Sequence, residues 1–268
     1  RCCVMKLKSD DTEIFHEVKG NGYPVVLLHP FPLNHHFWDA CVSALEHRYK
    51  LILPDLRGHG DSPPGNGPAT MERHARDLSR LCAELNVQKT VFAGVSVGGY
   101  ILFEFWRQSR EHVAALILSN TRASAETPEG RANREKSIQL VQERGPSPFI
   151  EEMLPKLLGK TTQETRADLV AGARAMMSRM TVAGIVAVQR GMAARPDSIP
   201  TLKTINVPTL IVAGEEDTAT PLPEAELMKK HIPGSRLELV PRAGHYAAFE
   251  QPAYCGKLLR TFLDGMNL

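Results

Sequence analysis

Residues 91–100 read Val91-Phe92-Ala93-Gly94-Val95-Ser96-Val97-Gly98-Gly99-Tyr100. A short apolar run closes on Gly94-x-Ser96-x-Gly98 and leads into 100–108, where the apolar residues follow helical spacing. That change of period places a strand-to-helix join at Ser96. The turn is sharp, and the glycines two positions to either side remove β-carbons that would collide in it. The serine hydroxyl is thereby aimed outward at a helix N-terminus, where backbone N–H groups can receive developing negative charge. A passive serine in a glycine-rich turn is the competing reading. The strand before it and the helix after it favour a nucleophile.

The same alternation runs on either side of Ser96. Short β-branched runs bounded by turn residues occupy 25–29, 51–54, 90–93, 113–119, 209–213 and 237–240, and read as buried parallel strands. Longer segments between them have helical spacing: Met71, Ala75, Leu78, Leu81, Cys82 and Leu85 share one face of 70–85, and 252–263 behaves alike. Strands alternating with helices predict an α/β fold with a mostly parallel, doubly wound sheet. Segments 5–8 and 14–19 alternate in hydrophobicity ahead of the first helix, which predicts an antiparallel hairpin at the sheet edge. Between 125 and 195 no strand pattern occurs, only apolar helix faces punctuated by Gly145-Pro146, Pro148, Gly159 and Pro196. A helical insertion between two strands of such a sheet usually covers the carboxyl-terminal strand edge, where ligands bind. The expected organisation is a core of 1–124 and 196–268 with a helical cap of 125–195.

With 268 residues the chain can bury one large core without a structural metal or disulfides. Lys plus Arg number 32 and Asp plus Glu 30, a formal net charge of +2, which speaks against a nucleic-acid partner. The cysteines, Cys2, Cys3, Cys41, Cys82 and Cys255, are odd in number and fit no CxxC or zinc spacing, as expected of free thiols in a reducing compartment. No apolar run approaches the ~18 residues of a membrane span, and no signal-peptide pattern is visible, so a cytoplasmic protein without a membrane partner is expected.

A serine hydroxyl attacks poorly unless a base removes its proton. Among 10 histidines, His245 stands apart by position: it follows the last strand and precedes the last helix, on the same sheet edge as Ser96. The imidazole in turn needs a buried carboxylate to fix its tautomer and stabilise its cation. Asp217, after the strand at 209–213, is the candidate, with Glu215 and Glu216 as competitors whose ordinary role is a solvated loop. After 113–119 the chain reads Asn120-Thr121-Arg122, which offers no carboxylate.

With these residues in the order Ser96, Asp217, His245, the chain resembles the α/β-hydrolase family. Gly214–Asp217 matches that family's GxxD acid loop, Gly244–Pro252 its GHxxxxExP histidine loop, and Asp55-Leu56-Arg57-Gly58-His59-Gly60-Asp61-Ser62 its turn after the fourth strand. The resemblance covers nearly the whole chain. It implies an oxyanion hole made by the amides of Phe31 and Val97. Here His29-Pro30-Phe31-Pro32 replaces the usual His-Gly, and Pro32 biases Phe31 towards extended angles. For His29 it implies a loop-holding role.

The implied activity is that of a cofactor-free serine hydrolase acting on a small to medium ester or lactone. Phe31, Trp38, Val97, Phe149, Met153, Met176, Met177, Met180 and Tyr246 are candidate pocket walls, and the apolar cap points to a hydrophobic substrate. His35 and His36 lack a third donor at metal spacing, so no metal site is expected. Asp55 and Asp61 read as braces of the Arg57–Gly60 turn. Rivals remain: a carbon–carbon bond hydrolase, a perhydrolase of the haloperoxidase type, an aminopeptidase using Glu126, Glu129, Glu151 or Glu152, and a ligand receptor on the same scaffold.

Overall fold

The computed structural model describes residues 3–266; Cys2 lies outside them. The strands are β1 (Cys3–Ser9), β2 (Thr12–Lys19), β3 (Tyr23–Leu28), β4 (Tyr49–Pro54), β5 (Thr90–Val95), β6 (Val113–Ser119), β7 (Thr209–Gly214) and β8 (Arg236–Val240). They form one sheet in the order β1-β2-β4-β3-β5-β6-β7-β8. The opening hairpin is antiparallel and forms one edge, as the alternation predicts, and β2 pairs antiparallel with β4. All later pairs are parallel. β5 and β7 are buried along their whole length, the burial expected of strands covered on both faces. β8 departs from the buried strand expected at 237–240. It pairs only with β7, and of its residues Val240 alone is buried.

Nine helices of six or more residues join these strands: α1 (Met71–Glu84), α2 (Val97–Ser109), α3 (Pro128–Arg144), α4 (Pro146–Leu157), α5 (Lys160–Thr165), α6 (Ala167–Met177), α7 (Val182–Ala193), α8 (Leu222–His231) and α9 (Pro252–Asp264), counted among the described residues. Thr70 caps α1, its hydroxyl accepting the Arg73 amide, and the face read from the sequence is the buried one, with Leu85 half-buried beyond its end. α3–α7 occupy the stretch between β6 and β7, without a strand among them. Gly145, at φ 76, ends α3 and Pro146 opens α4, so that pair breaks the helix as expected. Pro148 does not. It sits in the first turn of α4, where a missing N–H leaves no hydrogen bond unmade. Among the described residues no single helix is long and apolar enough to cross a membrane.

From β3 the chain first steps one way to β4, then returns past β3 to β5 and continues to β8. With right-handed crossovers, that reversal puts successive helices on opposite faces and opens a crevice at the carboxyl ends of β3 and β5. His29–Pro32 leaves β3 there, and Ser96 leaves β5.

Beside this crevice, Asp55 braces the turn that follows β4. One carboxylate oxygen accepts the His35 amide at 2.8 Å and lies 2.7 Å from His35 Nδ1; the other accepts the Asp61 amide at 2.8 Å. The Asp61 carboxylate is no brace: it pairs with Arg179, between α6 and α7. Burial alone would raise the Asp55 pKa, but the hydrogen bond from His35 and the neighbouring imidazoles hold it at about 2. A carboxylate depressed in the fold stabilises it above the unfolded pKa near 4 and loses that contribution as pH falls towards 2. Wild type should therefore lose about 2 kcal/mol more stability than Asp55→Asn between pH 5 and pH 2, read from urea melts at each pH.

Candidate active site

Ser96 lies between β5 and α2 with φ 54 and ψ −112, a conformation a non-glycine residue adopts only when its surroundings impose it. They do so through hydrogen bonds to its backbone, among them a 3.3 Å bond from the Tyr100 amide to Ser96 O. The Ser96 amide donates to Ser119 O at 3.0 Å, and Ser96 O accepts the Gly99 amide at 2.9 Å and the Thr121 hydroxyl at 2.7 Å. A β-carbon on Gly94 would stand 2.5 Å from the Gly98 carbonyl carbon, and one on Gly98 3.0 Å from Leu28 Cβ. The first glycine thus lets the turn close on itself, while the second lets α2 press onto β3. Val97 opens α2, where the first amides lack partners within the helix.

His245 Nδ1 lies 2.9 Å from Asp217 Oδ2, and both side chains are buried. The same oxygen accepts the Thr220 hydroxyl at 2.6 Å and Asn120 Nδ2 at 2.9 Å, while Oδ1 accepts the amides of Ala219 at 2.8 Å and Thr220 at 3.0 Å. Burial would raise the Asp217 pKa, but the charge and hydrogen bond of His245, with Thr220 and Asn120, hold it well below the usual carboxylate range. An Nδ1–H donated to Asp217 leaves Nε2 as the acceptor of the ring. Ser96 and His245 line one cavity, without a direct hydrogen bond between them among the described residues. Such contacts are often long in unliganded sites and tighten when substrate binds.

The loop that carries His245 is pinned from within the inserted helices. Its amide donates to Leu157 O at 3.1 Å. Glu250 Oε1 accepts the amides of Gly244 at 3.0 Å and Tyr246 at 3.1 Å, and Oε2 accepts the Gly159 amide at 2.8 Å and the Thr162 hydroxyl at 2.6 Å. The backbones of Gly159 and Gly244 abut so closely that a β-carbon on either would strike the other. Glu215 is exposed, but Glu216 is not the solvated residue expected of it: it accepts the Thr161 amide at 2.8 Å and the Thr161 hydroxyl at 2.5 Å. Glu250→Gln turns an amide towards a backbone N–H and should cost about 2 kcal/mol in a urea melt. With His245 as the base expected from the sequence, riding on that loop, kcat should fall roughly tenfold while KM changes little.

Phe31 lies in the turn after β3, closed by the Leu33 amide on Pro30 O at 3.0 Å; the Phe31–Pro32 peptide is cis. His29 is fully buried and burial pushes its pKa down to about 4. Its Nε2 accepts the Leu56 amide at 2.9 Å and its Nδ1 lies 3.0 Å from Pro30 O, so this neutral ring ties the Phe31 turn to the segment after β4. The Tyr246 hydroxyl donates to Phe31 O at 3.2 Å and joins the same turn to the His245 loop.

A cavity of about 320 Å³ lies over Ser96, lined also by Phe31, Tyr100, His245, Met153 and Met192 and by the charged or polar Arg122, Arg134, Lys156 and Gln189. Of the pocket walls expected from sequence, Phe31 and Met153 line it. Tyr246 is the loop tether just described. Phe149 packs behind Phe31 with ring centroids 5.9 Å apart, and Trp38 packs on Phe37 at 5.0 Å. Met177 and Met180 are buried in the core and Met176 packs half-buried against it, as helical spacing allows for any apolar face. The cavity is also less apolar than expected. His35 and His36 each sit within 2.8 Å of a single carboxylate, Asp55 and Asp39.

Asn120, Thr121 and Arg122 offer no carboxylate, and the sequence marks them with no role at the site. Folding places all three at the site: on Asp217, on Ser96 O and in the cavity wall, respectively. Their position directly after β6, on the edge shared with Ser96, was the one available signal.

This architecture and this cluster define a class. The family model for the alpha/beta hydrolase fold matches residues 23–252, and the chain belongs to that family. A thermophilic esterase from Thermogutta terrifontis, solved with malate bound, superposes with a TM-score of 0.94 at 37% identity over 98% of both chains. A Bacillus subtilis protein with the provisional name 2-succinyl-6-hydroxy-2,4-cyclohexadiene-1-carboxylate synthase is 29% identical over 252 residues, 90% of each chain. The 3-oxoadipate enol-lactonase 1 of Acinetobacter baylyi is 24% identical over 247 residues, 92% of this chain and 91% of its own.

Proposed function

We propose that the chain is a cofactor-free serine hydrolase that cleaves carboxylic esters or lactones through an acyl-enzyme, with α3–α7 as the cap over its cavity. The observation that carries this reading is the buried His245–Asp217 pair, 2.9 Å apart, on the same cavity as a serine held at φ 54. His245 Nε2 takes the Ser96 proton as Oγ attacks the carbonyl carbon. The amides of Phe31 and Val97 hold the oxyanion, each worth about 3 kcal/mol in the transition state. The imidazolium, steadied by Asp217, gives its proton to the leaving alkoxide. Water, deprotonated by the same ring, then releases the acid. The esterase and enol-lactonase relatives support an ester or lactone carbonyl as the reacting group.

A fluorophosphonate that reacts with activated serines tests the assignment. It should add one phosphonyl group to the wild-type chain, located at Ser96 by peptide mass spectrometry. An unlabelled chain, or a label on another residue, overturns the reading.

A further inference from the structure

The cavity over Ser96 carries more positive charge than ester cleavage requires. Arg122, Arg134 and Lys156 all line it, and among the described residues no Asp or Glu does. The three cations differ in how they are neutralised. Lys156 pairs with Glu152, and both are more than half exposed. Arg134 is bound to Glu126, a carboxylate it shares with the buried Arg195, which stacks over the Tyr100 ring. Glu126 is thus spent on two arginines and is not available to bind a substrate amine, which removes one of the four acids named for an aminopeptidase.

Arg122 has no carboxylate among the described residues. Its Nη2 donates to Ala219 O at 2.5 Å, while its Nε is buried without a hydrogen-bond partner. A half-buried guanidinium bonded only to a carbonyl retains unused donors in a fixed planar fork, the geometry that grips a carboxylate. Its place in the fold is equally specific. It stands three residues beyond the end of β6, next to the Asn120 and Thr121 that hold Asp217 and Ser96, so its position relative to the reacting serine is fixed by the sheet.

We propose that Arg122 binds a carboxylate of the substrate, so that the preferred ester or lactone is anionic, with a free carboxylate a few carbons from the scissile carbonyl. This rests on the hydrolase reading above and adds the substrate class to it. A cavity of about 320 Å³ suits such a molecule, standing at the low end of the ~300–1,000 Å³ typical of small-ligand sites.

Monoethyl succinate and ethyl succinamate share ester, length and shape and differ in one carboxylate against one carboxamide. Wild type should favour the anion in kcat/KM by roughly 10- to 100-fold, the worth of a charge-assisted hydrogen bond. In Arg122→Gln that ratio should fall to near one; an arginine that merely supports the Asp217 loop through Ala219 would slow both esters and leave the ratio intact. A wild-type ratio near one, or a preference that survives Arg122→Gln, overturns the inference while the hydrolase reading stands. Should Arg122→Gln not fold, Arg122→Lys, which keeps the charge without the fork, should give an intermediate ratio, and an unchanged one counts against the proposal. If wild type cleaves neither ester, the fluorophosphonate label decides the hydrolase reading by itself, and calorimetry decides the substrate class. Succinate should then bind wild type and bind Arg122→Gln or Arg122→Lys at least about tenfold more weakly; equal binding, or none to wild type, overturns the assignment.

Discussion

Ser96→Ala is expected to lower kcat for a p-nitrophenyl ester by at least about 10⁴-fold, with what remains owed to the cavity and its amides alone. On the proposed mechanism the loss is this large because, among the described residues lining the cavity, Ser96 alone stands at the sheet's reversal point on a helix N-terminus, and its hydroxyl is the group that would form the acyl-enzyme. The fold should survive, since none of the hydrogen bonds that set the turn uses Ser96 Oγ: they run from its amide to Ser119 and to its carbonyl from Gly99, Tyr100 and Thr121. A paired measurement separates chemistry from strain. Ser96→Gly should be equally inactive yet unfold at higher urea than Ser96→Ala, by about 1 kcal/mol, because glycine occupies φ 54 without a β-carbon to crowd. Turnover retained in the alanine variant, at constant purity, would place the nucleophile elsewhere.

Asp217→Asn should cost roughly 10³- to 10⁴-fold in kcat and also destabilise the fold. Each carboxylate oxygen is saturated with donors: Ala219 and Thr220 amides on one, His245, Thr220 and Asn120 side chains on the other. An amide N–H₂ in either position meets donors. Turned towards His245 it forces the Nδ1–H to leave and puts the proton on Nε2, where the ring can no longer accept from Ser96. Turned the other way it opposes two backbone amides, at a cost of about 2–3 kcal/mol. Steady-state kinetics and a urea melt on the same preparation check both parts. A variant with near wild-type kcat would mean that Asp217 does not orient the base.

Three residues distant along the chain stand out in the sequence alone, and the reason is local. A glycine-flanked serine between a strand and a helix, a GxxD after one strand and a GH before the last helix are each written in short, contiguous stretches. The doubly wound sheet was legible for the same reason, through its alternation of short and long periods. The pocket was not. Trp38, Phe149, Met177 and Met180 have the composition of a hydrophobic wall, yet the structure spends them on the core. An apolar side chain carries no mark of whether its neighbour is substrate or protein.

The chain's own order of residues determined the fold class, the turn at Ser96 and the helical insertion, because backbone sterics and hydrophobic period act over a few residues. It took folding to bring Asn120, Thr121 and Arg122 onto Asp217, Ser96 and the cavity, and to seat Gly159 against Gly244. Those contacts join segments about 25 to 97 residues apart, and what places them is the register of parallel strands and the packing of α4 and α5 on the His245 loop. The charge of the cavity follows from the same cause: an overall +2 is distributed by the tertiary packing, which pairs Glu126 with two arginines and, among the described residues, gives Arg122 no carboxylate.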